Sequence, residues 1–313
     1  MNSSKEELLK VLETIAPFIH RTPVLTSKLI DEMAGCEIQF KCENFQKMGA
    51  FKMRGAMYAI SKLSEDQKNA GVVTHSSGNF AQALSLAAKS LNVPAYIVMP
   101  ESAPEVKKAA VRTYGGKITE CPSTLQDREA TANRIMKEKG ASFIHPSNDM
   151  NVILGQGTAA TELLLDHPEL QIIVCPVGGG GLIAGTAIST HVLLQDCLCI
   201  GAEPMEADDA WRSLKSGKIE SNASVLTIAD GLKTMLGDVN FPIIRDHVSE
   251  IIRVSEQEII AAMRLIWERM KIVVEASSAV ALAAIIQQKD KFRNKKVGLI
   301  ISGGNVDLTN LPF

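Results

Sequence analysis

From about Gly71 onward, the chain alternates short runs of β-branched and apolar residues with longer runs whose apolar positions recur at helical spacing. In the first half these runs read, in order, VVTHSS, NFAQALSLAAKSL, AYIVMP, APEVKKAAVRTYG, KITECP, TLQDREATANRIMKEKG and SFIHP. Strands that alternate with helices in this way predict βαβ units, whose right-handed crossovers pack helices on the faces of a parallel sheet.

The second half of the chain resumes the same alternation, with GTAATELLLDH, QIIVCPVGGGG, LIAGTAISTHVLLQ and CLCIGAEP. EQEIIAAMRLIWERM and SSAVALAAIIQQ then have the spacing of two helices, and VGLIISGGN is a last apolar strand that ends in glycines. The pattern predicts an α/β fold of two lobes, each built on a mostly parallel twisted sheet flanked by helices. Polar breaks near residues 61–70 and 146–151 are the expected crossings between the lobes.

The composition and net charge of the chain indicate which kind of partner it binds. The 313 residues are 46% hydrophobic and carry a formal net charge of -2, so we expect a small-molecule partner rather than nucleic acid or a membrane. The N-terminus has no signal or transit pattern and no apolar run reaches the length of a membrane span, which indicates a cytoplasmic protein. Because no cysteine lies in a CxxC pair or a Cys/His cluster, we expect buried free thiols at Cys36, Cys42, Cys121, Cys175, Cys197 and Cys199.

Ligands of open α/β sheets bind at the carboxyl ends of the strands, where three segments of this chain are unusual. The first is HSSGN, which runs from His75 to Asn79. Ser76, Ser77 and Asn79 are favourable N-cap residues, so the segment could simply begin a helix. Its N–H groups could also receive a carboxylate, because a helix N-terminus carries partial positive charge.

The second segment is the run of four glycines from Gly178 to Gly181, between a strand and a helix. It does not complete a GxGxxG dinucleotide fingerprint, because the third glycine is missing. Each glycine has an entropic cost and allows a backbone to approach a ligand closely, so the run favours a phosphate cradle. A flexible hinge is the alternative.

The third segment, IISGGN, ends the last strand and could be a plain turn, although the Ser302 hydroxyl could hydrogen-bond a heteroaromatic nitrogen. A separate segment, GAFKMRGA, places Lys52 between Phe51 and Met53. Such apolar flanks suit an amine that is kept partly dry in order to react, and an ordinary helix lysine is the alternative.

The loop GAEPMEADDAW carries Glu203, Asp208 and Asp209 shortly after another strand. It could be an ordinary solvated acidic loop. Carboxylates with an intervening carbonyl also suit a hard cation such as Mg²⁺ or Ca²⁺.

Together, Lys52 in AFKMRGA, the loop SSGN, the run GGGG and the terminal SGGN resemble the fold type II pyridoxal phosphate (PLP) enzymes, and within them the serine racemase and serine/threonine dehydratase group. The resemblance runs from RTPV at residues 21–24 through KCENFQKMGAFKMRGA, PAYIVMP, GQGT, TIADGLK and WERMK to SGGNVDL. It implies a tryptophan synthase β-like fold, in which residues 1–62 and 149–313 form a large cofactor-binding domain and residues 63–148 a small mobile domain.

The resemblance also implies roles for the matching residues. Lys52 would be the Schiff-base lysine, and Ser77 the acid/base on the opposite face. Asn79 would contact the ring hydroxyl of PLP, Ser302 would contact the pyridine nitrogen, and Phe51 would lie beside the ring. The phosphate would be held by Gly178, Gly179, Gly180 and Gly181. The substrate would contact Ser76, Ser77, Gly78, Asn79 and Arg128. A divalent cation (Mg²⁺, Ca²⁺ or Mn²⁺) would be bound by Glu203, the carbonyl of Ala207, and Asp209.

Four positions depart from the group's usual pattern. Ala50 replaces the serine that usually precedes Phe-Lys, Phe80 and Ala81 stand where His-Gly is common, and Ser147 stands where an asparagine or an aromatic residue often lies. What these changes do to substrate or rate is left open by the sequence.

Eukaryotic serine racemases also bind ATP at their dimer interface. Lys47, Tyr114 and Asn305 could match part of that site, but Met48 replaces a small polar residue. The departure argues against activation by ATP in this chain. The resemblance also implies a homodimer.

The resemblance implies that Lys52 removes the Cα proton of serine or a related 3-hydroxy amino acid, after which loss of water leads to a 2-oxo acid and ammonia. A second acid/base would also permit racemisation. Arg128 could receive a β-carboxylate, which would favour 3-hydroxyaspartate, or it could be an exposed arginine on a charged helix. A threo-3-hydroxyaspartate ammonia-lyase and a catabolic threonine dehydratase are alternatives. A nicotinamide-dependent oxidoreductase and a non-catalytic cofactor-binding protein are alternatives of other classes.

Overall fold

The structure is a computed structural model that describes residues 4–222 and 225–313. Its strands, numbered in chain order, are β1 (Val24–Leu25), β2 (Glu37–Cys42), β3 (Val72–His75), β4 (Ala95–Pro100), β5 (Lys117–Cys121), β6 (Ser142–Phe143), β7 (Ile172–Pro176), β8 (Leu198–Pro204), β9 (Glu250–Val254) and β10 (Lys296–Ile301).

Helices connect most of these strands. They are α1 (Lys5–Ile15), α2 (Lys28–Ala34), α3 (Lys52–Ser61), α4 (Glu65–Ala70), α5 (Asn79–Ser90), α6 (Glu105–Thr113), α7 (Leu125–Lys139), α8 (Met150–Asp166), α9 (Gly181–Leu193), α10 (Asp209–Ser216), α11 (Phe241–His247), α12 (Glu256–Met270), α13 (Ala276–Gln287) and α14 (Lys289–Phe292). Short 3₁₀ turns at Met205–Ala207 and Asp230–Leu232 lie close to functional segments.

The strands form two sheets. The larger has the order β1-β2-β10-β7-β8-β9, in which only the β1–β2 pair is antiparallel. The smaller has the order β5-β4-β3-β6 and is parallel throughout. The predicted α/β fold with two mostly parallel sheets is confirmed. The two polar breaks lie between the strands of one sheet and those of the other, and the domain limits at residues 62/63 and 148/149 stay a prediction.

Helices α8 and α9 form the buried support of the larger sheet. All residues of β7 are buried, and so are the first ten residues of α9. The two helices approach closely at Gly157 and Gly185, where a Cβ on Gly157 would lie only 2.6 Å from the Gly185 carbonyl oxygen. This contact fixes the start of α9 at the carboxyl end of β7.

A fully buried network of charges fixes helix α3. Arg54 donates two hydrogen bonds to Glu43, at 2.7 and 2.8 Å, and two to Glu162, both at 2.9 Å. Lys41 in β2 donates to Glu162 at 2.6 Å, and Thr22 donates to Glu43 at 2.5 Å. The two cations and two anions balance, so each buried charge is paired. The network joins α3 to β2 and α8 two residues from Lys52.

None of the helices in residues 4–222 and 225–313 is long and apolar enough to span a membrane. All six cysteines are buried and free, as the sequence predicts.

Candidate active site

Lys52 is the first residue of α3, and its side chain lies half-buried against two aromatic rings. Its Nζ is 4.8 Å from the centre of the Phe51 ring and 5.8 Å from that of Phe80. Burial lowers the pKa of Lys52 from 10.5 to about 8, and the Glu275 carboxylate opposes this shift. In a significant minority of molecules, the Lys52 side chain is therefore a neutral, nucleophilic amine near neutral pH.

The carbonyl of Pro146 holds this amine in place. Lys52 Nζ donates to Pro146 O at 2.9 Å, and Gln156 Nε2 donates to the same oxygen at 3.1 Å. Gln156 is fully buried in α8, so it fixes the carbonyl that orients Lys52. The sequence did not indicate either contact.

The four glycines lie between β7 and the start of α9, with Gly180 at the N-cap in the left-handed region (φ 82°). There is no room for a side chain at any of them. A Cβ would lie within 2.8 Å of a neighbouring atom at each: Gly178 (Leu232 Cα, 2.8 Å), Gly179 (Ser147 Oγ, 2.5 Å), Gly180 (Asn240 Oδ1, 2.7 Å) and Gly181 (Gln156 Oε1, 2.5 Å). The segment is thus a bare backbone cradle at a helix N-terminus, where the first N–H groups have no partner within the helix.

A buried polar atom at the cradle supports the same interpretation. Gln156 Oε1 has no hydrogen-bond partner among the described residues, and it lies beside Gly181. A polar ligand at this end of the cradle would compensate for its burial. A phosphate-bearing pyridine aldehyde such as PLP fits this site. The cradle suits its phosphate, the partly desolvated amine of Lys52 suits its aldehyde, and a neutral hydroxyl lies at the end of another strand.

That hydroxyl belongs to Ser302, which follows β10 and is buried. Ser302 Oγ lies 3.0 Å from Ser278 Oγ, and Ser278 is itself hydrogen-bonded to Gly303. The Phe51 N–H donates to Ser302 O at 3.0 Å, so the strand end and the start of α3 are joined directly. The neutral hydroxyl of Ser302 therefore lies at the strand end that is joined to the start of α3, where Lys52 is the first residue.

The HSSGN segment ends where α5 begins, at Asn79. Gly78 occupies the N-cap, and no side chain caps the helix. The interpretation of Ser76, Ser77 and Asn79 as N-cap residues is wrong. Within the described part of the chain, no side chain caps α5, and the Gly78 N–H donates to Ser76 Oγ at 3.4 Å. The first N–H groups of this 12-residue helix therefore have no capping side chain, which is compatible with an anion at this end.

Asn79 is held by a buried carboxylate that the sequence analysis did not single out. Asn79 Nδ2 donates to both oxygens of Glu275 at 3.1 Å, and Asn79 Oδ1 accepts from Asn305 Nδ2 at 2.8 Å. Burial, and then Asp230, raise the pKa of Glu275 to about 7. Glu275 thus orients Asn79, whose predicted bond to a cofactor hydroxyl stays a prediction.

Arg128 lies in the first turn of α7 and is half-buried. Its Nε donates to Thr124 O at 3.4 Å within its own segment. Burial, and then the positive charge of Arg128, lower the pKa of His75 at the end of β3. Arg128 is therefore close to the end of β3 in the smaller sheet, and it is only partly exposed to solvent.

Glu203, near the end of β8, and Asp209, the first residue of α10, are fully buried neighbours. Glu203 accepts from the backbone N–H groups of Ala210 and Trp211, at 3.0 and 2.8 Å. Burial, together with the charge of Asp209, raises the pKa of Glu203 well above its usual range, and burial raises the pKa of Asp209 to about 6. Two buried carboxylates that repel each other would be relieved by a cation.

Asp208, which precedes Asp209 in this loop, plays a different part. It accepts from Arg212 at 2.7 Å and from Arg253 at 2.8 Å. Ala207 closes the 3₁₀ turn that precedes Asp208 and is buried. No cluster of three or more His, Cys, Asp or Glu side chains suited to a metal occurs in the parts of the chain that the structure describes.

The structure locates three of the residues that depart from the usual sequence pattern of the PLP group. Ala50 pairs with Gly303 in an isolated bridge, and its Cβ would lie 2.9 Å from a Cβ on that glycine. Phe80 is buried and forms part of the apolar wall beside Lys52. Ser147 packs against Gly179 in the cradle. All three therefore lie in the wall of the same cleft.

Comparison with known proteins identifies the family. A family model described as pyridoxal-phosphate dependent enzyme matches residues 15–303. The chain belongs to this family. It is 49% identical over 310 residues to the serine racemase of Dictyostelium discoideum, covering 98% of this chain and 96% of that protein. It is 47% identical over 308 residues to the β-hydroxyaspartate dehydratase of Paracoccus denitrificans, covering 98% of each.

A solved structure agrees with these sequence matches. The crystal structure of serine racemase from Dictyostelium discoideum superposes with a TM-score of 0.94 at 49% identity, covering 97% of this chain and 99% of that chain. The predicted resemblance to fold type II PLP enzymes and the predicted PLP cofactor are thereby confirmed. The nicotinamide-dependent alternative finds no support in these matches.

Proposed function

We propose that this PLP-dependent enzyme removes water from 3-hydroxy amino acids, giving a 2-oxo acid and ammonia, and that it also racemises serine. The observation that carries the proposal is the dry amine of Lys52, held at Pro146 O within the same cleft as the glycine cradle and Ser302. PLP, when bound, delocalises the electron pair left at Cα when a bond there breaks.

Lys52 is the base that takes the Cα proton. Its lowered pKa supplies the neutral amine, and Phe51 and Phe80 keep water from the amine. Since Pro146 O accepts from the amine, Lys52 stays directed into the cleft when it is free.

Ser302 sets the balance between the two reactions. With PLP bound, the neutral hydroxyl of Ser302 would face the pyridine nitrogen and supply no proton to it, so negative charge at Cα would be stabilised less strongly. Early loss of the β-hydroxyl from the substrate would then be favoured over racemisation. Ser77, in the loop before α5, is the proposed acid/base on the opposite face, and the N-terminus of α5 receives the substrate α-carboxylate.

The proposed substrates are 3-hydroxyaspartate and serine. Arg128 supports the dicarboxylate, because its half-buried guanidinium lies near His75 at the end of β3 and can bind a β-carboxylate in a bidentate manner. Relatives named β-hydroxyaspartate dehydratase and serine racemase, at 47% and 49% identity, support both choices.

We further propose that Glu203, the Ala207 carbonyl and Asp209 bind Mg²⁺ or Ca²⁺. The mutual repulsion of two buried carboxylates supports a cation there. We also propose that residues 63–148 move as a small domain. The ion pair of Lys107 with Asp230, at 2.7 Å, joins α6 to the 3₁₀ turn beside the glycine run. Because the pair is partly exposed, it is weak enough to open during such a motion.

The test measures kcat/KM for serine, threonine and 3-hydroxyaspartate, each as separate stereoisomers, with ammonia and 2-oxo acid as readouts. Lys52→Ala should abolish ammonia release, and retained turnover would refute the role of Lys52. Ser77→Ala should keep elimination from one enantiomer and lose interconversion of the two. Equal loss of both activities would contradict two opposed bases.

Arg128→Gln should raise KM for 3-hydroxyaspartate by about tenfold or more while serine changes little, since a charged hydrogen bond is worth roughly 1.5–3 kcal/mol. Arg134→Gln, on an outer part of the same helix, is the matched control, because Arg134 only pairs with Glu138 at the surface.

A further inference from the structure

The segment that follows β6 contains a histidine with an unusual hydrogen-bond arrangement. His145 Nδ1 accepts from the backbone N–H of Ser147 at 3.2 Å and from that of Asn148 at 2.8 Å. A ring nitrogen that accepts two N–H groups carries no proton, so the proton of the neutral imidazole is on Nε2. The tautomer of His145 therefore follows from the backbone geometry alone.

The loop itself does not require a histidine. A side-chain acceptor that bonds the N–H groups two and three residues ahead is an Asx-type turn, which asparagine or aspartate forms readily. Aspartate would also bring a negative charge close to Lys52. What imidazole adds to the turn is a second nitrogen, with a proton to donate, at the far side of the ring.

The neighbours of the ring connect it to the Lys52 site. The His145 ring is half-buried and meets the His75 ring edge-on, with centroids 6.4 Å apart. Phe143 packs against both rings, at 5.4 Å from His75 and 6.2 Å from His145. The next residue, Pro146, supplies the carbonyl that holds Lys52. Within the described residues, His145 Nε2 donates to no protein acceptor.

The same surroundings keep His145 neutral. Burial, and then His75 and Lys52, lower the pKa of His145 to about 4. A donor that stays neutral adds no positive charge beside the Lys52 amine, so it does not disturb the base that the reaction uses. Arg128, which acts electrostatically on His75, supplies a positive charge close to the same group of rings.

We propose that His145 is a specificity-determining residue whose Nε2–H donates to the side-chain carboxylate of a dicarboxylic substrate, beside the Arg128 guanidinium. The inference rests on the proposed function and names the group that recognises 3-hydroxyaspartate. Serine, which has no second carboxylate, gains nothing from this donor.

Two variants separate the two nitrogens of the ring. His145→Asn keeps an acceptor for the turn and removes the Nε2 donor, whereas His145→Gln places an amide N–H near the position of Nε2 and removes the turn acceptor. We expect His145→Asn to lower kcat/KM for 3-hydroxyaspartate about tenfold to a hundredfold through KM, with kcat and the values for serine changed about twofold or less. His145→Gln should keep the preference for 3-hydroxyaspartate over serine.

Binding to the PLP-loaded enzyme gives a readout that does not depend on turnover. By titration calorimetry, His145→Asn should weaken succinate binding about tenfold and leave that of butyrate, its monocarboxylic counterpart, nearly unchanged. The proposal is overturned if His145→Asn behaves as the wild type, or if it affects both ligands and both substrates equally, since either result leaves His145 with the turn alone. If the wild-type enzyme does not turn over 3-hydroxyaspartate, the proposed function fails before the variants are compared.

Discussion

Replacing Lys52 with methionine should make the cofactor-free protein more stable, even though it removes the amine that we propose to be the base. Methionine keeps an apolar, unbranched side chain against Phe51 and Phe80, and it removes an ammonium that burial disfavours. Selection for reactivity, rather than for stability, then accounts for a lysine at this position.

The magnitude follows from the lowered pKa. One pKa unit corresponds to about 1.4 kcal/mol, so a change from 10.5 to about 8 means that the buried ammonium destabilises the folded state by about 3 kcal/mol at neutral pH. Loss of the hydrogen bond to Pro146 O offsets about 1 kcal/mol of this gain. The expected net increase in the free energy of unfolding is about 2 kcal/mol.

The sign of the pH dependence is fixed by the same values. The folded-state pKa is below the unfolded-state pKa, so the destabilisation is fully present below pH 8 and disappears as the pH rises to 10.5. The advantage of Lys52→Met over the wild type should therefore shrink steadily across that interval.

The assay is urea unfolding of both proteins, stripped of PLP, at pH 7 and about pH 9.5, with midpoints compared at unchanged slope. Lys10→Met, at an exposed position in the middle of α1, is the control and should give no comparable gain. If Lys52→Met is less stable than the wild type at both pH values, desolvation of the amine is not what activates it.

Three further predictions concern other parts of the site. Gly180→Ala should weaken PLP binding by at least about tenfold in equilibrium dialysis, because its φ of 82° and its contacts exclude a Cβ; unchanged affinity would contradict the cradle. Arg54→Met should lower the free energy of unfolding by about 3–5 kcal/mol, and Glu162→Gln in the same chain should restore part of it; a full loss in the double variant would argue against charge pairing. Asp209→Asn should raise the melting temperature in EDTA and abolish stabilisation by Ca²⁺, with Trp211 fluorescence as a local probe; persistent stabilisation would place the cation elsewhere.

The parts of the fold that follow simple hydrophobic periodicity could be predicted from the sequence. The βαβ units of the smaller sheet, the strand before the glycine run and the final strand all appear at the expected places. Strands β2 and β9 could not be found in this way. In β2, Lys41 interrupts the apolar run, and only the three-dimensional pairing with Glu162 explains a buried lysine there.

The same distinction, between residues indicated by local sequence and residues that depend on distant contacts, applies to the candidate site. Lys52, the glycine run and Ser302 follow strand ends or lie in apolar flanks, so local sequence indicates them. Gln156 and Glu275 look like ordinary polar residues of a helix or its cap, and their roles depend on contacts with residues far away in the chain. His145 carried one weak signal, its place at the end of a predicted strand.

The position of β10 in the larger sheet has a consequence for how the protein is made. β10 is the last strand in the chain, yet it lies between β2 and β7, near the middle of the sheet order. On the ribosome, the smaller sheet can form from one continuous stretch of chain, whereas the larger sheet stays split until β10 emerges. Ser302 arrives with that strand. We therefore expect nascent chains to acquire the cofactor only after β10 has emerged and joined the sheet, so that a partly built enzyme does not hold a reactive aldehyde.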